Sequence, residues 1–415
     1  MIFFQIQSKC DGLEVTQLRL RLKYKDEFVL EPYVSHSLYQ YLVQKKNEIT
    51  QHANKWDRFK KYTNVYEYVH TVLPETKQSI CKVKPLSRSF YKMIEIMQCF
   101  HILKEFEKHH AGKPMRSFHI AEGPGGFIEA LLYNRKGHSE DAYFGMTLQS
   151  SSQNTPGWKK SQPVLNRISN GKFCVVNGAD GTGDVSRLCN FKHCVERYGG
   201  SIDIVTADGG FDFTVDFNNQ EVVALRLVIS EVFMALALQR KGGYFVLKIY
   251  DIFMKATIQV IYILCNMYEN VFLYKPHMSR AANSEKYIVC KNMINEVTPE
   301  CLSKFEEILK KMEKFPDYVV ESIIDVEIDN MFLTKMNDIC SVIGQQQLEN
   351  ISSTLNLIMN PKSDKIESHK RSNILNCVNW CVKHSLPYND MSQYICSGSG
   401  PSSPLLGESE VSLRE

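Results

Sequence analysis

Between Phe118 and Leu132 the chain reads FHIAEGPGGFIEALL. A short apolar run (Phe118, Ile120, Ala121) stops at Glu122, and a turn of Gly123, Pro124, Gly125 and Gly126 follows. Phe127, Ile128, Leu131 and Leu132 then recur at helical spacing. The pattern predicts strand, tight loop, helix. Glycines let a backbone approach a ligand closely, and the helix start behind them presents unpaired N–H groups. The loop is not G-x-G-x-x-G and carries no Lys-Ser/Thr ending, which disfavours a dinucleotide site and a P-loop.

The same two periods recur along the chain. Residues 82–110 keep helical spacing (Phe90, Tyr91, Ile94, Met97, Leu103), with Ser87 placed to cap the helix. Apolar runs predict strands at 142–148, 173–176, 202–207, 244–250, 271–274 and 287–290. Residues 220–239 are apolar nearly all round, which predicts a helix packed on two sides and ended by Gly242 and Gly243; 258–267 is also helical. The last two strands are too close for a crossover helix, so they pair antiparallel across the 275–285 loop. The core therefore reads as α/β, a doubly wound sheet with a final antiparallel strand. Helices are predicted at 299–314, 329–343, 346–359 and 373–384. The units expected are an N-terminal extension (1–80), the core (81–295), a helical C-terminal region (296–390) and a disordered Ser/Gly/Pro-rich tail (391–415). Residues 1–34 mix apolar and polar positions without a clean period.

Composition narrows this little. At 44% hydrophobic and 23% charged, the 415 residues describe an ordinary globular protein of more than one unit. A net charge of +3 permits nucleic acid as a partner without arguing for it. No apolar run is long enough for a membrane span, and the N-terminus lacks the basic start and apolar core of a signal peptide. The 13 cysteines form no CxxC pair, so a reducing compartment fits. Cys377, Cys381 and His384 read as one helix face rather than a zinc site, and no metal is expected.

Four charged residues stand out against their surroundings. Lys92 lies among apolar helix neighbours, where a snorkelling lysine is the plain reading. Asp208 follows the 202–207 strand, as a turn or cap residue would, but also where open α/β sheets bind ligands. Lys248 sits inside the apolar run FVLKI, where an unpaired charge is costly. Glu285 opens the last strand. Asp180 and Asp184 occupy the glycine-rich turn NGADGTGD. In the N-terminal unit, Trp56, Phe59, Tyr62 and Tyr66 are interleaved with Arg58, Lys60 and Lys61. That suits stacking on single-stranded RNA, or an aromatic core with its lysines in solvent.

SRSFYKMIEI, AEGPGGF, DGTGDV, TADGGFDF, GGYFVLKIYD and SRAANSEKYIVC, in this order, resemble the FtsJ-like 2′-O-ribose methyltransferases. Within that family the wording is similar to the cap-specific mRNA branch, cap 1 type, of eukaryotes and large DNA viruses. The likeness covers about residues 80–293. It implies a Rossmann-like methyltransferase sheet and a catalytic tetrad of Lys92, Asp208, Lys248 and Glu285. S-adenosylmethionine would lie over Glu122, Gly123, Pro124, Gly125, Gly126 and Phe127, near Ser87, with Asp184 and Val185 at its adenine and Asp180 as a weaker candidate. RNA would meet Asn218, Asn219, Gln220, Arg280 and Asn283. Glu122 departs from the family, where a small residue or Cys commonly precedes the glycine turn. The resemblance implies capped mRNA as substrate, capping or transcription machinery as partners, and a nuclear or cytoplasmic protein, or a viral-factory or virion protein in a viral host. Lys248, its pKa lowered by Lys92 and partial burial, is the expected general base. The rivals are an rRNA or tRNA enzyme and a non-catalytic RNA-binding subunit that keeps the fold.

Overall fold

All six residues of the strand Ile202–Ala207 are buried, as a strand covered by helices on both faces must be. That strand lies near the middle of an eight-stranded sheet in the computed structural model, which describes residues 3–6, 12–74, 76–136, 138–149, 157–210 and 218–391. Most of the expected tail and residues 150–156 and 211–217, which include the FDF of TADGGFDF, lie outside the described residues.

The N-terminal segment supplies β1 (Phe3–Ile6), β2 (Leu18–Tyr24), α1 (His36–Gln51) and α2 (Ala53–Thr63). The core follows as α3 (Ser89–Cys99), α4 (Ile102–His110), β3 (Arg116–Ile120), α5 (Gly126–Asn134), β4 (Ala142–Met146), α6 (Gln162–Ile168) and β5 (Phe173–Val175). It continues through α7 (Leu188–Tyr198), β6 (Ile202–Ala207), α8 (Gln220–Leu238), β7 (Gln239–Ile249), α9 (Lys255–Met267), β8 (Tyr268–Tyr274) and β9 (Lys286–Met293). The C-terminal segment adds α10 (Pro299–Lys314), β10 (Tyr318–Ile324), α11 (Asn330–Met359) and α12 (Ser363–Lys383).

The sheet order is β1-β8-β9-β7-β6-β3-β4-β5. Strands β3 to β7 are parallel, and β9 runs antiparallel between β7 and β8, as the short 275–285 connection requires. The chain leaves β3 toward β4 and β5, then returns to place β6 on the other side of β3. This reversal opens a crevice at the carboxyl ends of β3 and β6. Glu122 and Asp208 lie just beyond those two ends.

Several expectations need correction. Gly242 and Gly243 do not separate helix from strand. Strand β7 begins directly after α8 at Gln239, whose side-chain amide donates to Tyr244 O at 2.6 Å and bridges the irregular start. Ser87 does not cap α3: the N-cap position is Arg88, and the Ser87 hydroxyl pairs with that of Ser89. The helices expected at 329–343 and 346–359 are one helix, α11. Gly344 is there a crossing point, since a Cβ at that position would lie 2.6 Å from Leu38 Cδ2 on α1.

The flanking segments are tied to the core and to each other. β1 adds to the sheet edge at β8, and β2 pairs with β10 across about 300 residues of sequence. Phe233 of α8 stacks on Phe305 of α10 with centroids 4.1 Å apart, so the nearly all-apolar α8 is covered by the sheet on one side and the C-terminal segment on the other. Cys377 and Cys381 lie on the buried face of α12, and His384 pairs with Gln98 at 2.6 Å. No helix among the described residues is long and apolar enough to cross a membrane.

Candidate active site

Lys92, Asp208, Lys248 and Glu285, drawn from α3, the β6 end, β7 and the start of β9, converge at the crevice. Lys92 Nζ lies 2.7 Å from Glu285 Oε1. Lys248 Nζ lies 3.3 Å from Asp208 Oδ1 and donates to Asp208 O at 2.8 Å. A fifth group joins the two pairs. The Tyr287 hydroxyl accepts from Lys92 Nζ at 3.3 Å and donates to Asp208 Oδ1 at 2.8 Å. The sequence reading passes over Tyr287. Its signal is the KYIVC strand itself, which places a tyrosine two residues after Glu285, on the same side of a pleated strand. Ser279 steadies Glu285 from behind, its hydroxyl 2.7 Å from Oε1.

The charges of the cluster depart from expectation at one point. Burial pushes the Lys248 ammonium down, but Asp208, then Tyr250 and Glu285, outweigh it and raise its pKa above the usual lysine range. The amine held low is Lys92, chiefly by burial, against the pull of Glu285 and Asp208. The physical reason is geometric. Lys248 is surrounded by Asp208, Tyr250 and Glu285, whereas Lys92, though paired with Glu285 at 2.7 Å, also has the cations Arg88 and Lys248 beside it. Burial works against ionised Glu285, but Lys92 and Lys248 overcome it and hold the carboxyl well below its ordinary value.

A cavity of about 1210 Å³ runs past this cluster. One end is lined by Glu122, Gly123, Pro124, Thr147, Gly183 and Asp184, with Val185 and Ser186 beside them. Here the backbone itself makes the wall. Gly183 has φ +66°, and a Cβ there would lie 2.0 Å from Thr147 O, so no other residue fits without moving main chain. Asp184 Oδ1 accepts from the backbone N–H and hydroxyl of Ser186 at 2.9 and 2.6 Å, which fixes this turn. Glu122 is buried, and its Oε2 has no hydrogen-bond partner among the described residues. Burial, then Asp208, push its carboxyl well above the ordinary value. Glu122 thus lines the cavity as a carboxyl whose neutral form burial favours, with the Phe127 and Ile128 N–H groups pulling the other way. A main-chain wall without side chains at Gly123 and Gly183, with buried Val185 beside it, leaves room for a small donor molecule with an apolar part. Gly125, Gly126 and Phe127 lie behind the wall. Gly125 N–H closes the turn onto Glu122 O at 2.6 Å, and buried Phe127 packs on Tyr287. The Asp180 carboxylate is turned to Thr182 and Asn190.

The opposite end is lined by Lys46, Ile49, Trp56, Ala282, Asn283 and Gln347, and Arg88 also lines the cavity; Ser87 lines it too but packs on the glycine loop, its Oγ 2.2 Å from where a Cβ at Gly126 would lie. Of the residues expected at RNA, Gln220 and Asn283 line the cavity. Asn218 accepts no such place: its amide donates to Asn47 Oδ1 at 2.8 Å, and Asn219 starts α8 beside it. Arg280 is committed elsewhere. Its guanidinium makes a two-point contact with buried Glu67, at 3.0 and 2.8 Å, and so clamps the 279–285 loop to the N-terminal segment.

A model of the FtsJ-like methyltransferase family matches residues 85–293, about half of the chain. The chain belongs to the FtsJ-like methyltransferase family. Its relatives include the cap-specific mRNA (nucleoside-2′-O-)-methyltransferase 1 of Leishmania braziliensis, 32% identical over 285 residues that cover 65% of this chain and 69% of that protein. The mouse protein of the same name is 37% identical over 42% of this chain and 21% of its own length. The fruit-fly cap-specific mRNA (nucleoside-2′-O-)-methyltransferase 2 is 28% identical over 58% of this chain and 36% of its own. The chain thus spans about two thirds of the first relative and much smaller shares of the other two. The FtsJ-like core contains the tetrad, Tyr287 and the glycine-walled end. Lys46, Ile49, Trp56 and Gln347 come from outside it, as do Met312, Glu313 and Pro316, which close the glycine-walled end from the α10–β10 corner.

Proposed function

We propose that this chain transfers a methyl group from S-adenosylmethionine to a ribose 2′-hydroxyl of m7G-capped mRNA, at the first transcribed nucleotide. The observation that carries the reading is the convergence of Lys92, Asp208, Lys248 and Glu285 on the wall of one cavity. That cavity exceeds the roughly 300–1,000 Å³ of a site for a single drug-sized ligand. The glycine-walled end, with buried Val185 beside it, suits the donor; the cation-lined end suits the acceptor. The capped substrate is what the relatives are named for. A nuclear or cytoplasmic site and contact with capping or transcription machinery belong to the same reading.

When bound, S-adenosylmethionine supplies an electrophilic methyl carbon on a positively charged sulfur. The chain supplies position and proton handling. The methyl group that the donor would supply would go to the 2′ oxygen, with the sulfur keeping the bond's electron pair, and the hydroxyl proton would be taken by Lys248 Nζ. Asp208 aims that amine through its carboxylate and carbonyl. Lys92 and Glu285 steady the hydroxyl from the other side, and Tyr287 keeps the two halves in register. Because Asp208 favours the ammonium form of Lys248, the competent free amine is scarce at neutral pH, and turnover should climb toward alkaline pH.

The test is mass spectrometry of nuclease digests after reaction with matched m7G-capped and uncapped transcripts. A methyl on the first-nucleotide ribose of the capped transcript alone is the expected result. Equal methylation of uncapped RNA would move the reading to a general RNA enzyme, and none on either would remove it.

A further inference from the structure

The wall beyond the tetrad is built by the N-terminal segment. Trp56 of α2 faces the cavity beside Ile49 of α1 and Ala282 of the loop before β9. It is half-buried against Ile351 and Leu355, which hold one part of the ring and leave another toward the cavity. The Gln347 amide, anchored to Ala282 O at 3.0 Å, and Asn283 complete a flat pocket with an aromatic face, aliphatic edges and amide groups. That is the composition that accepts a planar heterocycle with hydrogen-bonding edges.

The charge beside it has the complementary sign for a phosphate. Lys46 and Lys286 share one carboxylate, Asp251, at 2.7 and 3.5 Å, all three side chains being buried. Two ammonium groups on one carboxylate leave a surplus positive charge at the cavity wall, which Lys46 lines. Arg88, whose Nη2 donates to Met278 O at 2.8 Å and whose Nε has no partner among the described residues, adds a guanidinium to the cavity lining.

We propose that Trp56 and Lys46 form a nucleotide subsite, the ring stacking on a base of the acceptor RNA next to the methylated ribose and the ammonium facing that nucleotide's phosphate. The subsite rests on the acceptor being RNA, as argued above, and it assigns acceptor binding to helices outside the FtsJ-like core. Stacking makes it tolerant of base identity.

The chain has three tryptophans, and the other two, Trp158 and Trp380, are almost fully buried. Tryptophan emission quenched by a short m7G-capped ribo-oligonucleotide therefore reports on Trp56. The expected result is quenching in the wild type and its loss in Trp56→Phe. In Trp56→Leu, which keeps an apolar contact with Ile351 and Leu355, KM for capped RNA should rise about tenfold or more. Its kcat, its affinity for S-adenosylmethionine and its melting temperature should stay near wild type. Lys46→Met should flatten the dependence of log KM on log salt by about one unit. Equal quenching in Trp56→Phe, or an unchanged KM for RNA in Trp56→Leu, overturns the subsite. A wild type that quenches but transfers no methyl group would count against the proposed reaction and leave the subsite standing.

Discussion

The two ends of the cavity are made in different ways. At the donor end the wall is main chain: the Glu122–Pro124 turn, Thr147 and Gly183 to Ser186, brought together by the carboxyl ends of parallel strands. At the acceptor end the wall is side chain, and its members come from α1, α2, the loop before β9 and α11. A backbone wall needs glycine at fixed places and so leaves a short motif. A side-chain wall needs only that distant helices arrive at the right angle, and it leaves no local trace. The tetrad stands at the junction, its Lys248–Asp208 and Lys92–Glu285 pairs joined through Tyr287.

If the junction is independent of both ends, Lys248→Ala will stop chemistry without disturbing binding. A fall in kcat of about a hundred- to ten-thousandfold is expected, with the dissociation constant for S-adenosylmethionine unchanged by calorimetry. Loss of donor binding in the same variant would show that the division is false. The wild-type pH profile sharpens the point. A Lys248 amine held above its ordinary value gives log kcat rising with unit slope through pH 8 and beyond, whereas a plateau below pH 8 would mean an amine held low.

Arg280 tests the acceptor side next. Its role is to neutralise Glu67, whose side chain is fully buried. Removing one partner of such a pair leaves a stranded charge, so Arg280→Ala should cost about 3 kcal/mol of stability in denaturant titrations. Despite the opposing effect of burial, Arg280 holds the Glu67 carboxyl near 2 rather than 4.5. The pair's contribution is therefore complete above pH 4.5 and lost as pH falls toward 2, and the variant should lack that acid-side loss. A variant of wild-type stability with weakened RNA binding alone would restore Arg280 as an RNA contact.

At the donor end, Gly183→Ala adds a Cβ within 2.0 Å of Thr147 O in a left-handed backbone position. Strain of this kind costs about 1–3 kcal/mol, and the turn can relieve it only by moving the wall. Affinity for S-adenosylmethionine should fall about tenfold while KM for RNA holds. Equal damage to both constants would mean that the two ends share one deformable wall.

The contrast also explains what the sequence disclosed. Strand Ile202–Ala207 and helix Pro299–Lys314 can be read residue for residue, the one from an unbroken apolar run and the other from Pro at its start and a clean helical stripe. Residues 1–34 have no clean period as a whole, yet within them strand Leu18–Tyr24 carries a local alternation, LRLRLKY, that buries Leu18 and Leu20 and exposes the arginines between and after them. Its partner, Tyr318–Ile324, lies 300 residues away, and no local period points to it. The tetrad is legible because the family motifs carry it. The raised pKa of Lys248 is not, because it depends on Asp208, Tyr250 and Glu285 gathering around one amine from separate parts of the chain. Lys46 and Trp56 look like any exposed helix residues until α11 and the loop before β9 close around them.

The smallest effect tests whether the donor end is purely a core structure. Arg226 of α8 donates to the carbonyls of Phe315, Pro316 and Tyr318 at 2.8, 3.1 and 2.9 Å, and also to Met312 O. It thereby pins the α10–β10 corner over the cavity. Glu313, on that corner, reaches back to Arg187 at 2.9 Å and latches it to the turn after Asp184. The latch is half-exposed, and such pairs contribute little in water. Glu313→Gln should therefore leave folding intact and raise the dissociation constant for S-adenosylmethionine less than about fivefold, with added salt erasing the difference. The direction matters more than the size. A donor affinity that weakens in low salt and recovers in high salt would show that a segment outside the family core helps close the donor pocket. An affinity indifferent to Glu313 at every ionic strength would confine donor binding to residues 85–293.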